Sequence, residues 1–267
     1  MDTSPGTPNQ RRRWRMRPRV LLTVGAAGAS LLGLTMLSPL APALADGGST
    51  ASWGNYWAVG RIQTQAGNRC TGTLIDTHVL LTAAHCDVGP GSTVTFGEFS
   101  GSGVSTIQGT VSEADNAPGS VDLTLAKVDY NESNGITTVF PPNPQTVNYS
   151  FQGDGTPITD VGYGYTDYGN NSSWQLARYQ VQATGEIASY GTFGSLPGNR
   201  YILSGLTVCK GDSGGPIMVD NEVVGVATNI NGDTDGGSCG TQSTALPVSN
   251  FASWIQSTAD TLQNDGN

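Results

Sequence analysis

Gly211-Asp212-Ser213-Gly214-Gly215-Pro216 sets a serine among small residues and backbone amides, the surroundings an acyl-transfer nucleophile requires. Thr82-Ala83-Ala84-His85-Cys86 supplies an imidazole, and Val121-Asp122-Leu123-Thr124-Leu125 puts one carboxylate into an apolar, alternating run. A serine hydroxyl is a poor nucleophile near neutral pH and needs a base beside it. An imidazole, with an unperturbed pKa of about 6.5, takes one proton and returns it. His85 is therefore the candidate base. Asp122 is the candidate acceptor for its second ring N–H, fixing the tautomer and stabilising the imidazolium. The amides of Gly211 and Ser213 are the candidate oxyanion donors, in a turn whose glycines permit the necessary backbone conformations. Asp115 is the substitute should Asp122 lie on the surface, and His78, away from all three segments, reads as a surface or packed side chain.

Working outward, the short pattern Gly211-x-Ser213-x-Gly215 also fits the nucleophile elbow of an α/β hydrolase. Chain order separates the two folds. The elbow needs its histidine after the serine, whereas both histidines, His78 and His85, precede Ser213. The flanking sequence agrees with a β protein: there are 37 glycines, only 12% charged residues, and short apolar or alternating runs between turn signals. Strands are expected over 57–65, 71–76, 78–82, 93–96, 123–128, 157–163, 174–183, 215–219 and 223–228. Phe251, Trp254, Ile255 and Leu262 then fall mostly on one helical face behind a cap at Ser249 or Asn250. Pro141-Pro142-Asn143-Pro144 marks the crossing between two halves, each a small barrel, with the site in the cleft between them.

The first 45 residues read as a targeting segment. Six arginines lie between Arg11 and Arg19, an uncharged apolar stretch runs from Val20 to Leu40, and Ala43-Leu44-Ala45 offers a cleavage site. The rival reading is an uncleaved membrane span, since the stretch is long enough, but small residues with Pro39 and Pro42 before the site favour removal. Arg11-Arg12-Arg13 also admits a twin-arginine signal, so the export route stays open. The domain reading is thus a signal peptide over 1–45, an N-terminal barrel over 46–140, and a C-terminal barrel with its helix over 141–267. The 222 residues left after cleavage carry 6 basic and 20 acidic side chains, a net −14. That balance argues against nucleic acid or an anionic membrane surface as a partner, and it suits a soluble, secreted monomer. Cys70, Cys86, Cys209 and Cys239 all lie in this part, and an even count in an exported chain implies disulfides. Of three pairings, Cys70 with Cys86 and Cys209 with Cys239 each close a short loop around a candidate catalytic segment. A zinc site is the rival, against which stand the wide spacings and the two histidines, so no metal or cofactor is expected.

Leu81-Thr82-Ala83-Ala84-His85-Cys86, Asp122-Leu123-Thr124-Leu125 and Gly211-Asp212-Ser213-Gly214-Gly215-Pro216 resemble the three signature segments of the trypsin/chymotrypsin family, across most of residues 54–260. The resemblance implies two six-stranded antiparallel β-barrels, a C-terminal helix, those same disulfides, and a secreted serine endopeptidase acting on proteins or peptides through an acyl-enzyme. It also implies that Asp212 pairs with an α-amino group released by activation. However, no basic residue followed by an Ile-Val-Gly-Gly-like start precedes Trp57, and cleavage after Ala45 would begin the chain at Asp46, ill-suited to an apolar pocket. The specificity pocket implied has Thr207 at its base and Thr228 and Ile230 on its wall, with no carboxylate, so uncharged side chains are expected on the acyl side. Asp233 and Asp235 read as a solvated hairpin tip rather than a second acidic site or a calcium loop. A non-catalytic binding protein on the same fold and an esterase with the same triad are the alternatives.

Overall fold

A computed structural model describes residues 49–50, 56–97, 107–130, 142–165, 181–234 and 239–264. The expected signal peptide, Pro141, Asp235 and the start of the strand expected from Trp174 lie outside these residues.

After a two-residue strand β1 (Ser49–Thr50), six strands close the first barrel: β2 (Val59–Gln63), β3 (Arg69–Asp76), β4 (Val79–Thr82), β5 (Thr93–Phe96), β6 (Ile107–Asn116) and β7 (Thr124–Tyr130). Their order around the barrel is β2-β3-β4-β7-β6-β5, antiparallel throughout. The second set is β8 (Pro157–Gly162), β9 (Val181–Gly191), β10 (Arg200–Ser204), β11 (Val208–Cys209), β12 (Pro216–Val219), β13 (Glu222–Thr234) and β14 (Cys239–Pro247). The path β9-β10-β14-β13-β12-β8 closes where β8 pairs with β9, giving a second six-stranded barrel, with β11 paired outside the ring to β14. The chain ends in a 3-10 turn, Val248–Phe251, and helix α1, Ala252–Asn264.

Each barrel has its own core. Ile62, Leu74, Leu80, Phe96 and Val128 fill the first; Ile158, Ile187, Tyr201, Leu203 and Ile217 fill the second. A third cluster joins Val79, Leu81, Leu123 and Leu125 to Val161, Tyr163, Met218 and Leu246, capped by Ile255 and Leu262 of the helix. Fully burying a side chain of this size is worth roughly 1.5 to 3 kcal/mol. This cluster is therefore what fixes one barrel on the other. It also explains why β4 is buried at all four positions: Leu80 points into its own barrel, while Val79 and Leu81 serve the shared cluster.

Several expectations need correction. Ser49–Thr50, assigned with the N-terminal barrel, pairs instead with Val181 and Gln182 on the second. The helix is not capped by Ser249 or Asn250, because both lie inside the 3-10 turn that leads into it. Asn250 Nδ2 instead donates to Tyr190 Oη at 3.1 Å. Strands β6, β10, β11 and β14 were not foreseen. β14 buries the adjacent polar residues Ser243 and Thr244, so it lacks the apolar alternation that signals a strand.

Candidate active site

The carboxylate and imidazole meet because of strand register. β4 and β7 pair antiparallel, Leu81 opposite Leu125 and Thr82 opposite Thr124. Asp122, just before β7, thus faces the turn that follows β4, where His85 sits in a 3-10 helix over Ala84–Cys86. Asp122 accepts from the ring: His85 Nδ1 lies 2.8 Å from Oδ2 and 3.1 Å from Oδ1. The same carboxylate accepts the His85 backbone N–H at 2.8 Å, which orients the residue as well as its ring. Both strands are held by two cores, so neither end can move without unpacking both. Asp122 is 22% exposed and His85 44%, which leaves the outer ring nitrogen accessible. Asp115 is exposed on β6, and His78 Nδ1 lies 2.8 Å from the Val128 carbonyl beside Tyr130.

Ser213 comes from the second barrel and is pinned to the first. The Thr71 amide donates to the Ser213 carbonyl at 2.9 Å, and Thr71 Oγ1 donates to the Gly211 carbonyl at 2.7 Å. Cys86 Sγ, one residue from the imidazole, lies 3.7 Å from the Ser213 carbonyl oxygen. Gly214 explains the glycine run: with φ +82° it adopts a left-handed conformation, and a Cβ there would lie 2.9 Å from the Ala83 amide nitrogen. Only a bare backbone lets the serine loop close on the histidine strand. Among the described residues, the amides of Gly211 and Ser213 have no acceptor, whereas those of Asp212, Gly214 and Gly215 all do. No hydrogen bond joins Ser213 Oγ to His85; such bonds commonly tighten only around substrate. Disulfides join Cys70 to Cys86 and Cys209 to Cys239, one beside each half of the site. Cys70, His85 and Cys86 cluster at metal-site spacing, but the cystine has no thiolate to offer.

Asp212 is 1% exposed and accepts the amides of Gly164 at 2.6 Å and Cys209 at 2.9 Å. Hydrogen bonds to a charged group are worth roughly 1.5 to 3 kcal/mol each. Backbone donors from β11 and from the turn after β8 thus supply part of what holds this carboxylate. Of the expected specificity residues, Thr207 is half-buried, with Ile230 partly packed on the second core. The side chain of Thr228 is buried: its Oγ1 accepts Arg200 Nη1 at 2.6 Å and donates to the Thr244 carbonyl at 3.4 Å. The side chain of Asp233 lies outside the described residues.

Arg200 is the residue that sequence reasoning missed. It is 2% exposed, its Nη2 donates to the Pro197 carbonyl at 3.3 Å, and its Nε has no partner among the described residues. Burial pushes its pKa below the ordinary arginine range, and the negative charge of Asp122 pulls it back up. A buried cation is therefore near enough to feel the charge of the carboxylate that holds His85. The signal was available: one charge inside the run Arg200-Tyr201-Ile202-Leu203, the pattern that singled out Asp122.

A sequence model of the family described as Trypsin matches residues 45–255. A brachyurin from Leptuca pugilator is 31% identical over 206 residues, covering 70% of this chain and 86% of that protein. A trypsin from Saccharopolyspora erythraea is 28% identical over 170 residues, covering 60% of this chain and 74% of that one. Among solved structures, human heparin binding protein superposes with a TM-score of 0.62 at 22% identity, over 79% of this chain and 95% of that one.

Proposed function

The chain belongs to the trypsin family of serine peptidases, and we propose that it is a secreted endopeptidase whose triad is Ser213, His85 and Asp122. Ser213 Oγ attacks the scissile carbonyl carbon as His85 Nε2 takes its proton, and the Gly211 and Ser213 amides receive the oxyanion. The C–N bond breaks, the amine leaves with the proton from His85, and a water hydrolyses the acyl-enzyme by the same relay in reverse. One observation carries the reading: an imidazole held by a carboxylate at 2.8 Å, beside a serine loop whose Gly211 and Ser213 amides are unused. Thr207, half-buried and without charge, supports a preference for uncharged side chains on the acyl side.

On this reading residues 1–45 are removed on export, segments 46–140 and 141–267 act together as one monomeric peptidase, and proteins or peptides are the substrates. The two disulfides suit an oxidising compartment. The test is titration of the purified protein with a sulfonyl fluoride while casein hydrolysis is followed. Stoichiometric labelling together with loss of proteolysis is expected, and Ser213→Ala removes both while keeping the fold. A protein that neither labels nor cleaves is a binding module on this scaffold, and one that turns over esters but not peptides is an esterase.

A further inference from the structure

A cleft of about 450 Å³ opens beside the oxyanion donor, lined by Gly67, Arg69, Tyr165, Lys210 and Gly211. Beyond residue 45 the chain has six basic residues, Arg61, Arg69, Lys127, Arg178, Arg200 and Lys210, against 20 acidic ones. Among the described residues, two of the six line this cleft and no carboxylate does, the reverse of what composition alone would distribute there. Arg69 and Lys210 are exposed, and among the described residues neither pairs with a carboxylate. A third cation is near: burial, and then the charge of Arg69, push Arg61 below the ordinary arginine range.

The cations are positioned rather than merely present. Arg69 opens β3 two residues before Thr71, whose amide and hydroxyl hold the carbonyls of Ser213 and Gly211. Lys210 immediately precedes Gly211, and its own carbonyl accepts the Tyr165 amide at 3.1 Å while Tyr165 packs against the Cys209–Cys239 bridge. The acyl-side candidates Thr207, Thr228 and Ile230 all belong to the second barrel and do not line the cleft, which takes its other wall from the first. A peptide with its scissile carbonyl at Gly211 therefore runs past Arg69 and Lys210 on its leaving-group side. At physiological ionic strength charges are screened beyond about 8 Å, so these two exposed cations outweigh the remote acidic residues, while the nearby Asp212 carboxylate is buried and engaged by the Gly164 and Cys209 amides.

We infer that this cleft binds an aspartate or glutamate side chain of the substrate just after the scissile bond, making the protein selective for peptides acidic on that side. The inference rests on the peptidase reading above. The experiment uses the disulfide-bonded protein and quenched fluorescent peptides that differ only by glutamate, alanine or lysine at each of the first three positions after the cleaved bond. An exposed ion pair changes binding by up to about fivefold. The glutamate peptide should exceed the lysine peptide in kcat/KM by about tenfold at one of these positions, and less at 0.5 M salt. Arg69→Glu should abolish or invert that ratio, while Lys127→Glu, outside the cleft, should leave it intact. Equal kcat/KM for the three peptides, or an acidic preference untouched by Arg69→Glu, overturns the inference while leaving the peptidase reading standing. If no peptide is cleaved the peptidase reading fails, and Ser213→Ala titrated with the labelled glutamate and lysine peptides then decides the cleft: tighter glutamate binding supports it, equal binding overturns it.

Discussion

Gly164→Ala tests how far the Gly164 amide contributes to holding the buried carboxylate of Asp212. A Cβ on Gly164 would sit 2.5 Å from both Cγ and Oδ1 of Asp212, where ordinary carbon contacts need roughly 3.5 Å or more. The carboxylate must retreat by about 1 Å, which takes the 2.6 Å bond from the Gly164 amide beyond hydrogen-bonding range. Losing a bond to a buried charge costs roughly 1.5 to 3 kcal/mol, and overpacking adds roughly 1 to 3. The expected destabilisation is about 3 to 5 kcal/mol, a large share of a domain's total stability. Because Asp212 lies between Gly211 and Ser213, the same shift tilts the two unused amides; losing one such donor lowers kcat by about 100- to 1000-fold. Urea unfolding followed by tryptophan fluorescence reads the first effect, and kcat on a peptide substrate, per folded molecule, the second. Gly153→Ala is the control, since nothing lies within 4 Å of its Cβ and a change under about 0.5 kcal/mol is expected there. If Gly164→Ala unfolds at the same urea concentration as that control and keeps its kcat, the account of Asp212 is wrong.

Asp122→Asn should lower kcat by about 10,000-fold with little change in stability, because an amide can present the wrong partner to Nδ1 and leave His85 in the wrong tautomer; a loss of tenfold or less would count against Asp122. Paired Cys→Ala changes should cost about 3 kcal/mol at Cys70–Cys86 and about 4 at Cys209–Cys239, the closed loops spanning 16 and 30 residues; unfolding midpoints unmoved by either change would refute this. Burial raises the pKa of Tyr130, and also those of Tyr56, Tyr149 and Tyr201, above the ordinary tyrosine value of about 10. The unfolded chain therefore ionises first, so this stability is complete below pH 10 and is lost as pH rises above it. Unfolding free energies measured from pH 8 to 12 beside tyrosinate absorbance should show that fall, and constant stability would contradict it.

Much of the fold was legible where side chains obey a strand's two-residue period. Thr93–Phe96 alternates outward and inward as its sequence alternates, and the expected strand matches the observed one. The three candidate catalytic segments stood out for a different reason: each places one reactive group where local propensity gives no cause for it, a charge in an apolar run or a serine among glycines. Period and local chemistry fail once the deciding neighbour is remote. β14 buries Ser243 and Thr244, and only the barrel around them makes those polar residues interior. The terminal helix shows its apolar face in the sequence, but its 3-10 entry and its seat across both barrels follow from the cluster it caps.

What the sequence determined by itself was the set of reactive groups, their order along the chain and a two-barrel β architecture, because composition, periodicity and motif are local properties. Only the tertiary structure decided that amides from Gly164 and Cys209 donate to Asp212, that Arg200 is buried within reach of the charge of Asp122, and that Arg69 and Lys210 converge on one cleft. Each of these depends on groups brought together across tens of residues of chain or by the docking of one barrel on the other. Electrostatic and hydrogen-bond energies act over a few ångströms of space and take no account of separation along the chain.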